Sequence, residues 1–510
     1  MAEIGFKEAL AIGIGGMIGG GIFAVLGLSL QLAGAAAPVA FFISGIVALL
    51  TAYSYAKLTR RYPSSGGTVE FIVRAYGTGI LAGGLNITLI LSYTIMIALY
   101  AYAFGAYAAS VINESLRPFF AALVIATFVF INALGAYTSG RVEDALVYFK
   151  IAVLILVAGA GLSYVNRNKF SPSNRPPFTA IIAGGMIIFL AYEGFELISN
   201  AAADAEVDEL PKAFYASVII VTTIYVLIAL VTAGVLTPEE VIKARDYALA
   251  EAAKPSLGEA GFLLVVLAAL ASTASAINAT LYGVTGISYV VAKYGSIPKG
   301  FEKRIRKRAT EGLLIVATIS LLLAVFVPLE TISSAGSAGF LVIFTAVNLA
   351  AYKLHREIQA NKYLALLAAL ATTISLGILT YRLAMTYPIA LRSYLLFPIA
   401  FLIERIYRKR TGRSLSKYID KRLELREKYI RSRPERFPRL REAILEEIPA
   451  ARVLVVGSAA RKEFDKAHDV DILIIAPKLP EDKKAFEERV KRKAELEEAP
   501  IDFHYEEKLS

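Results

Sequence analysis

Two acids, Glu193 and Glu196, stand inside an otherwise apolar stretch, GGMIIFLAYEGFELISNAA. Near the start, GIGGMIGGGIF puts six glycines among the eleven residues from Gly13 to Phe23. Far downstream, one residue separates Asp469 from Asp471 in DVDILII, and a Gly457-Ser458 turn follows the apolar run ARVLVV. Each set has its own chemistry. Acids at membrane depth are costly and usually face an aqueous pathway. Glycine weakens a helix by up to about 1 kcal/mol relative to alanine, so a cluster invites a break. Carboxylates two apart on a strand share a face and suit a hard cation such as Mg²⁺, which nucleotide chemistry uses to bridge phosphates. A third strand, APIDFHY, carries Asp502.

The elements that must position these residues follow from hydropathy. Of 510 residues 56% are hydrophobic and the mean hydropathy is +0.57, too apolar for a soluble globular protein. Stretches of roughly 20 apolar residues are expected at 8–31, 36–58, 77–110, 117–136, 145–166, 177–200, 213–236, 258–291, 310–328, 331–353, 361–383 and 388–407. The opening MAEIGFKEAL lacks the basic region and cleavage site of a signal peptide, so the first span is expected to be retained. With no cysteine, disulfides and thiolate metal sites are excluded. Missing Cys and Trp alongside abundant Ile, Lys, Glu and Arg fits a thermophilic source. His355, His468 and His504 are too scattered for a metal site.

Charge divides the chain. After Ile403 lie 27 of the 54 Lys and Arg and 22 of the 43 Asp and Glu, so about a fifth of the length holds half the charge. This marks a membrane body in the lipid bilayer followed by a soluble tail, and the net +11 needs no nucleic-acid partner. Basic residues concentrate in loops on one side, including Arg60, Arg61, Arg74, Lys212, Lys303 and Arg308. That bias predicts cytoplasmic N- and C-termini in a cell membrane.

Backbone unwinds inside a membrane only where it lines a cavity or is buried by protein. Taken alone, the first glycine cluster fits tight helix packing equally well, through Gly15-x-x-x-Gly19 and Gly16-x-x-x-Gly20. The sixth stretch tips the balance, with Gly184, Gly185 and Gly194 beside two acids. Breaks in spans one and six occupy matching positions in two successive five-helix units, the pattern of a transporter site built from an inverted repeat. Half-helix N-termini would face an anionic group and opposing carbonyls a cation.

Four collinear segments carry a specific likeness. GIGGMIGGGIF, PSSGGTVEFIVRAYG, FLAYEGFE and STASAINATLYGVTGISYVVAKYGSIPKGF resemble, in order across roughly 1–405, the amino acid–polyamine–organocation (APC) permease superfamily. The resemblance implies an all-α polytopic membrane protein with a LeuT-like five-plus-five inverted repeat and about twelve transmembrane helices. It implies alternating-access transport of amino acids by symport or exchange, with no cofactor. The backbone around Gly19, Gly20 and Gly21 would hold the substrate carboxylate. Carbonyls near Phe189, Leu190 and Tyr192 would take the amino group, with Glu193 and Gly194 at the break.

Proton-coupled members of that family resemble this chain in having a lysine where Lys150 opens the fifth span, in place of a sodium ion between spans one, five and eight. Ser272 or Thr273 would supply nearby oxygens. Desolvation lets a lysine exchange its proton during a cycle; the bland alternative is a snorkelling lysine at the membrane edge. The sequence departs from the family at Gly286, where Arg is common, and after span six, where NAAADAEVDELPKAF aligns only at Leu210-Pro211 and Ala213. Glu193 fits either a cationic substrate or a structural hydrogen bond.

The organisation expected is a permease domain over 1–407, a basic helical linker over 408–449 beside anionic headgroups, and a small α/β domain over 450–510. The last resembles a minimal nucleotidyltransferase. That resemblance implies nucleotide phosphates at Gly457 and Ser458, metal at Asp469 and Asp471, and Asp502 as a third carboxylate, catalytic only if the tail is active. Mg²⁺ and a nucleotide would be its cofactor and ligand. The rival reading is a membrane-anchored nucleotidyltransferase enzyme. An anchor needs one or two spans, not about 400 residues with paired breaks and midplane acids.

Overall fold

The computed structural model describes residues 4–64, 66–134, 140–171, 176–202, 205–293, 297, 301, 311–411, 433–456, 470–476, 480, 483–494 and 501–507. The chain forms two units, Met1–Ser414 and Leu415–Ser510.

The first expected span is two helices, α1 (Phe6–Met17) and α2 (Gly21–Ala33), separated by Ile18, Gly19 and Gly20. The break falls inside the glycine cluster, where the chain has least to hold a helix. A short 3₁₀ turn leads to α3 (Ala37–Arg61), which has Pro38 in its first turn, where a missing N–H costs nothing. Gly67, at φ +47°, turns the chain into the short α4 (Thr68–Tyr76). Then come α5 (Ile80–Ile112), α6 (Arg117–Leu134) and α7 (Gly140–Gly161).

The sixth stretch is broken as well. Helix α8 (Phe178–Ile187) gives way to 3₁₀ turns at Phe189–Tyr192 and Phe195–Ala201, bent by 52°. Beyond it run α9 (Leu210–Val235), the short α10 (Pro238–Lys243) and α11 (Ala248–Lys293). Thr237 and Glu240 cap α10 reciprocally, and α11 kinks at Gly258, φ +63°, just after Pro255. The body ends with α12 (Glu311–Phe326), α13 (Leu329–Lys353), α14 (Lys362–Thr386) and α15 (Leu396–Thr411).

Among the described residues eight helices are long and apolar enough to cross a membrane, nine if the bent sixth pair counts as one. The lower number than twelve has a physical origin. Helix α1 has 12 residues and α12 and α15 have 16 each, and α2 runs almost continuously into α3. The chain is thus a multi-pass, mostly helical membrane protein. Helix α3 packs on α9, α5 on α11 and α13, and α7 on α11, around a core threaded by α1 and the sixth-span break.

The second unit holds a helix, Arg433–Glu447, and a three-stranded sheet of β1 (Arg452–Val456), β2 (Val470–Ala476) and β3 (Ile501–Glu507). Strand β2 is central, antiparallel to β1 and parallel to β3. The helix Lys483–Lys493 makes the crossover that a parallel pair requires. Ile444, Ile472, Ile474, Phe486 and Val490 form its core.

Candidate functional site

The two breaks touch backbone to backbone. A Cβ placed on Gly16 would stand 2.8 Å from the Cα of Gly194, and one on Gly21 would stand 2.6 Å from the Cα of Ala191. Both positions therefore require glycine for the approach itself. Gly194 also sits at φ +122°, a conformation that side chains rarely accept. Gly20 faces the ring of Tyr100, and the Tyr100 hydroxyl lies 3.6 Å from where a Gly19 Cβ would be.

A collar of side chains satisfies the freed peptide groups, as a water-poor interior demands. Around the first break, the Ser272 hydroxyl meets the carbonyl oxygens of Ile18, at 2.7 Å, and Gly19. Lys150 Nζ donates to the Gly15 carbonyl at 3.0 Å. Tyr225 lies between the breaks, its hydroxyl within 2.7 Å of the Met17 carbonyl and 3.1 Å of the Ala191 carbonyl. Around the sixth-span break, Ser333 and Ser337 of α13 both donate to the Ile187 carbonyl, and Ser337 accepts from Leu190 N–H at 3.3 Å. Ser44 donates to Gly185 and Tyr192 donates to Phe41, fastening the break to α3.

The acids belong to the same collar. Tyr100 donates to Glu193 Oε2 at 3.2 Å, and Tyr93 donates to Glu196 Oε1 at 3.1 Å. Gly194 N–H donates to Glu196 Oε2 at 2.8 Å. Glu193 is 4% exposed and Glu196 1%, so neither carboxyl has bulk water for a partner.

The structure thus brings together Gly19, Gly20, Gly21, Phe189, Leu190, Tyr192, Glu193, Gly194, Lys150 and Ser272. Lys150 lies in the middle of α7, since that helix begins at Gly140 rather than near 145, and it is 1% exposed. Its side chain turns inward to α1 and does not reach for solvent. Thr273 places its hydroxyl on its own helix, 2.7 Å from the Ala269 carbonyl, and its methyl toward Gly20. Tyr93, Tyr100, Tyr225, Ser44, Ser333 and Ser337 were not singled out in the sequence. Their one signal was a hydroxyl on an apolar helix, which core positions share.

In the second unit, the parallel register sets Asp471 of β2 directly beside Asp502 of β3. Asp469, Gly457 and Ser458 lie outside the described residues. Glu447, on the helix preceding the sheet, accepts from Arg489 at 2.9 Å. That guanidinium holds its carboxyl below the usual carboxylate range, against a smaller opposing effect of burial.

Comparison with known proteins agrees with this arrangement. An amino acid permease family model matches residues 4–403, and a nucleotidyltransferase domain model matches 438–510. The chain is 37% identical over 422 residues to an uncharacterized protein of Methanocaldococcus jannaschii, covering 81% of this chain and 97% of that one. It is 35% identical to the inner membrane transport protein YbaT of Escherichia coli, over 70% of this chain and 85% of that protein. A branched-chain amino acid permease, BcaP of Bacillus subtilis, is 24% identical over 70% of this chain and 81% of its own. With two broken helices meeting at glycine and a family model spanning most of its length, the chain belongs to the amino acid permease family, within the APC superfamily.

Proposed function

We propose that this protein is a proton-coupled secondary transporter of amino acids, working by alternating access in the cell membrane. Twelve crossings, a LeuT-like inverted repeat and cytoplasmic termini complete the reading. It is carried by one observation: the interruptions of the first and sixth spans meet at Gly16 and Gly194, ringed by side chains that hold unpaired peptide groups. The backbone from Gly19 to Gly21 would receive the substrate carboxylate at the start of α2, where N–H groups lack helical partners. The carbonyls from Phe189 to Tyr192 would receive its amino group.

Lys150 would carry the coupling proton. Its ammonium is tied to the Gly15 carbonyl one turn before the break, so losing the proton would loosen α1 at that point. Uptake of radiolabelled amino acids into proteoliposomes, with and without an imposed pH gradient, tests the whole reading. The wild type concentrates at least one amino acid when the gradient is applied, and Lys150→Ala does not. A Lys150→Ala protein that still follows the gradient refutes the coupling role, and no accumulation of any amino acid by the wild type refutes transport.

For the second unit we propose a nucleotide-binding module that biases the transporter. Support comes from the register that pairs Asp471 with Asp502, since carboxylates are the donors that Mg²⁺ takes. Bound there, Mg²⁺ would neutralise and orient nucleotide phosphates near Gly457 and Ser458. A nucleotide alters transport only if it binds two transporter conformations unequally. Calorimetric titration of the full chain with Mg²⁺ and each nucleoside triphosphate should give heat above dilution for at least one. The absence of heat for all of them ends the proposal.

A further inference from the structure

Three helices leave a recess in the outer wall of the membrane body. Leu49, Leu50 and Tyr53 of α3, Tyr215 and Ile219 of α9 and Leu364 of α14 line a cavity of about 290 Å³. Leu364 is 39% exposed and Ile219 52%, so the recess opens sideways, where lipid lies. One end of it is polar. Tyr53 accepts from the Asn361 N–H at 2.6 Å, which levels that end with the start of α14. Among the described residues the hydroxyl hydrogen of Tyr53, the hydroxyl of Tyr215 and the ammonium of Lys57 have no hydrogen-bonding partner. Lys57 follows Tyr53 by one helical turn and Lys212 precedes Tyr215 by one, so each lysine shares a face with its tyrosine. Lys362 opens α14 with its ammonium over the Tyr363 ring. Lys212 pairs with Glu209 and Arg60 with Asp208, whereas Lys57 and Lys362 have no acidic partner among the described residues.

We propose that this recess binds one anionic membrane phospholipid, with a hydrocarbon chain along Leu49, Leu50, Ile219 and Leu364 and the phosphate at Lys57 and Lys362. Donors close to the hydrocarbon have little water to turn to, so they need acceptors from protein or lipid. The three unused donors and the two uncompensated ammonium groups call for an anion that accepts hydrogen bonds. A free phosphate would meet the charge and leave the apolar wall uncovered. An amphiphile meets both, which is the pairing of apolar lining and few polar groups that ligand sites show. A zwitterionic headgroup brings its own cation toward the lysines and forfeits part of the attraction. Two walls of the recess also hold the sixth-span break, α3 through Ser44 and α9 through Tyr225. A lipid lying across them would brace the helices that complete the candidate site. The proposal needs only the membrane body and stands whether or not the transport reading does.

The chain contains no tryptophan, so a single one introduced at the rim reports on this recess alone. Full-length Leu364→Trp is placed in vesicles of equal phosphatidylglycerol and phosphatidylcholine, with bromine on the chains of one lipid at a time. Quenching of the tryptophan then gives the relative association of each lipid. Phosphatidylglycerol should associate about fivefold more strongly, the worth of roughly 1 kcal/mol from one lysine at an anionic headgroup. Phe130→Trp, at a lipid-facing position 63% exposed on α6, should show no preference. Adding Lys57→Gln to Leu364→Trp should abolish the preference. Equal association of the two lipids at Leu364→Trp, a preference that survives Lys57→Gln, or one of the same size at Phe130→Trp overturns the proposal. Quenching by neither lipid would mean that protein covers the recess. A preference removed by inorganic phosphate, but not by chloride at equal ionic strength, would mean a site for the free ion. Either result overturns the lipid. Should Leu364→Trp fail to fold, Ile219→Trp on the α9 wall carries the same expectations.

Discussion

Gly16 shows how little room the site leaves a single atom. Its missing Cβ would run into the backbone of Gly194, which cannot rotate away as a side chain would. Gly16→Ala is expected to cost about 1–3 kcal/mol through overpacking and to abolish uptake. Gly286→Ala, on α11, meets nothing within 4 Å, so its thermal midpoint in detergent should be unchanged or slightly raised. Equal losses from the two substitutions would mean that the Gly16 contact has no special role. At this scale the sequence was legible wherever a residue type was out of place. Lys150 and the two glutamates stood out because charge on an apolar helix is rare. Tyr225 did not, because a tyrosine on an apolar span looks like packing until its hydroxyl is seen between two carbonyls.

A broken helix needs other helices to complete its hydrogen bonds, and here the completion comes from α3, α7, α9, α11 and α13. Ser272→Ala removes one hydroxyl from the carbonyls of Ile18 and Gly19. It should lower stability by about 1–3 kcal/mol, the usual cost of stranding a buried acceptor. Thr273→Val, whose hydroxyl only returns to its own helix, should cost less. Thermal unfolding of the two variants in the same detergent makes the comparison, and a larger loss for Thr273→Val would contradict this ordering. The breaks themselves were legible, since glycine clusters report weak helix locally. The collar was not, because serines 333 and 337 become partners of Ile187 only once α13 is known to lie beside it.

At the scale of the whole molecule, the shift in charge and hydropathy near Ile403 foretold a membrane body and a polar tail, and all three tail strands fall where apolar runs were seen. Helix boundaries were harder. Helix α2 runs almost continuously into α3 where two separate spans were expected, and α7 starts earlier than apolarity alone indicated. The tail unit should also respond to acid. Arg489 depresses the Glu447 carboxyl, so the stabilisation is present above the ordinary glutamate range near pH 4.3 and is lost as pH falls through the lower folded value. Arg489 is 56% exposed, which limits the pair to under about 1 kcal/mol. Hydrogen exchange on the full chain should show helix Arg433–Glu447 better protected in the wild type than in Glu447→Gln at pH 6. The difference should shrink toward zero below about pH 4. A gap that persists in acid would exclude the ion pair as its source.

Tyr225 has one hydroxyl hydrogen for two oxygens, those of Met17 and Ala191. Neither interrupted segment owns that hydrogen, so either can swing away while the other keeps it, and the swing forfeits only a fraction of a bond. Under the alternating-access reading proposed above, the hydroxyl would act as a swivel pin that ties the two segments together without locking either. Removing the pin with Tyr225→Phe would strand both carbonyls at once in the arrangement seen here.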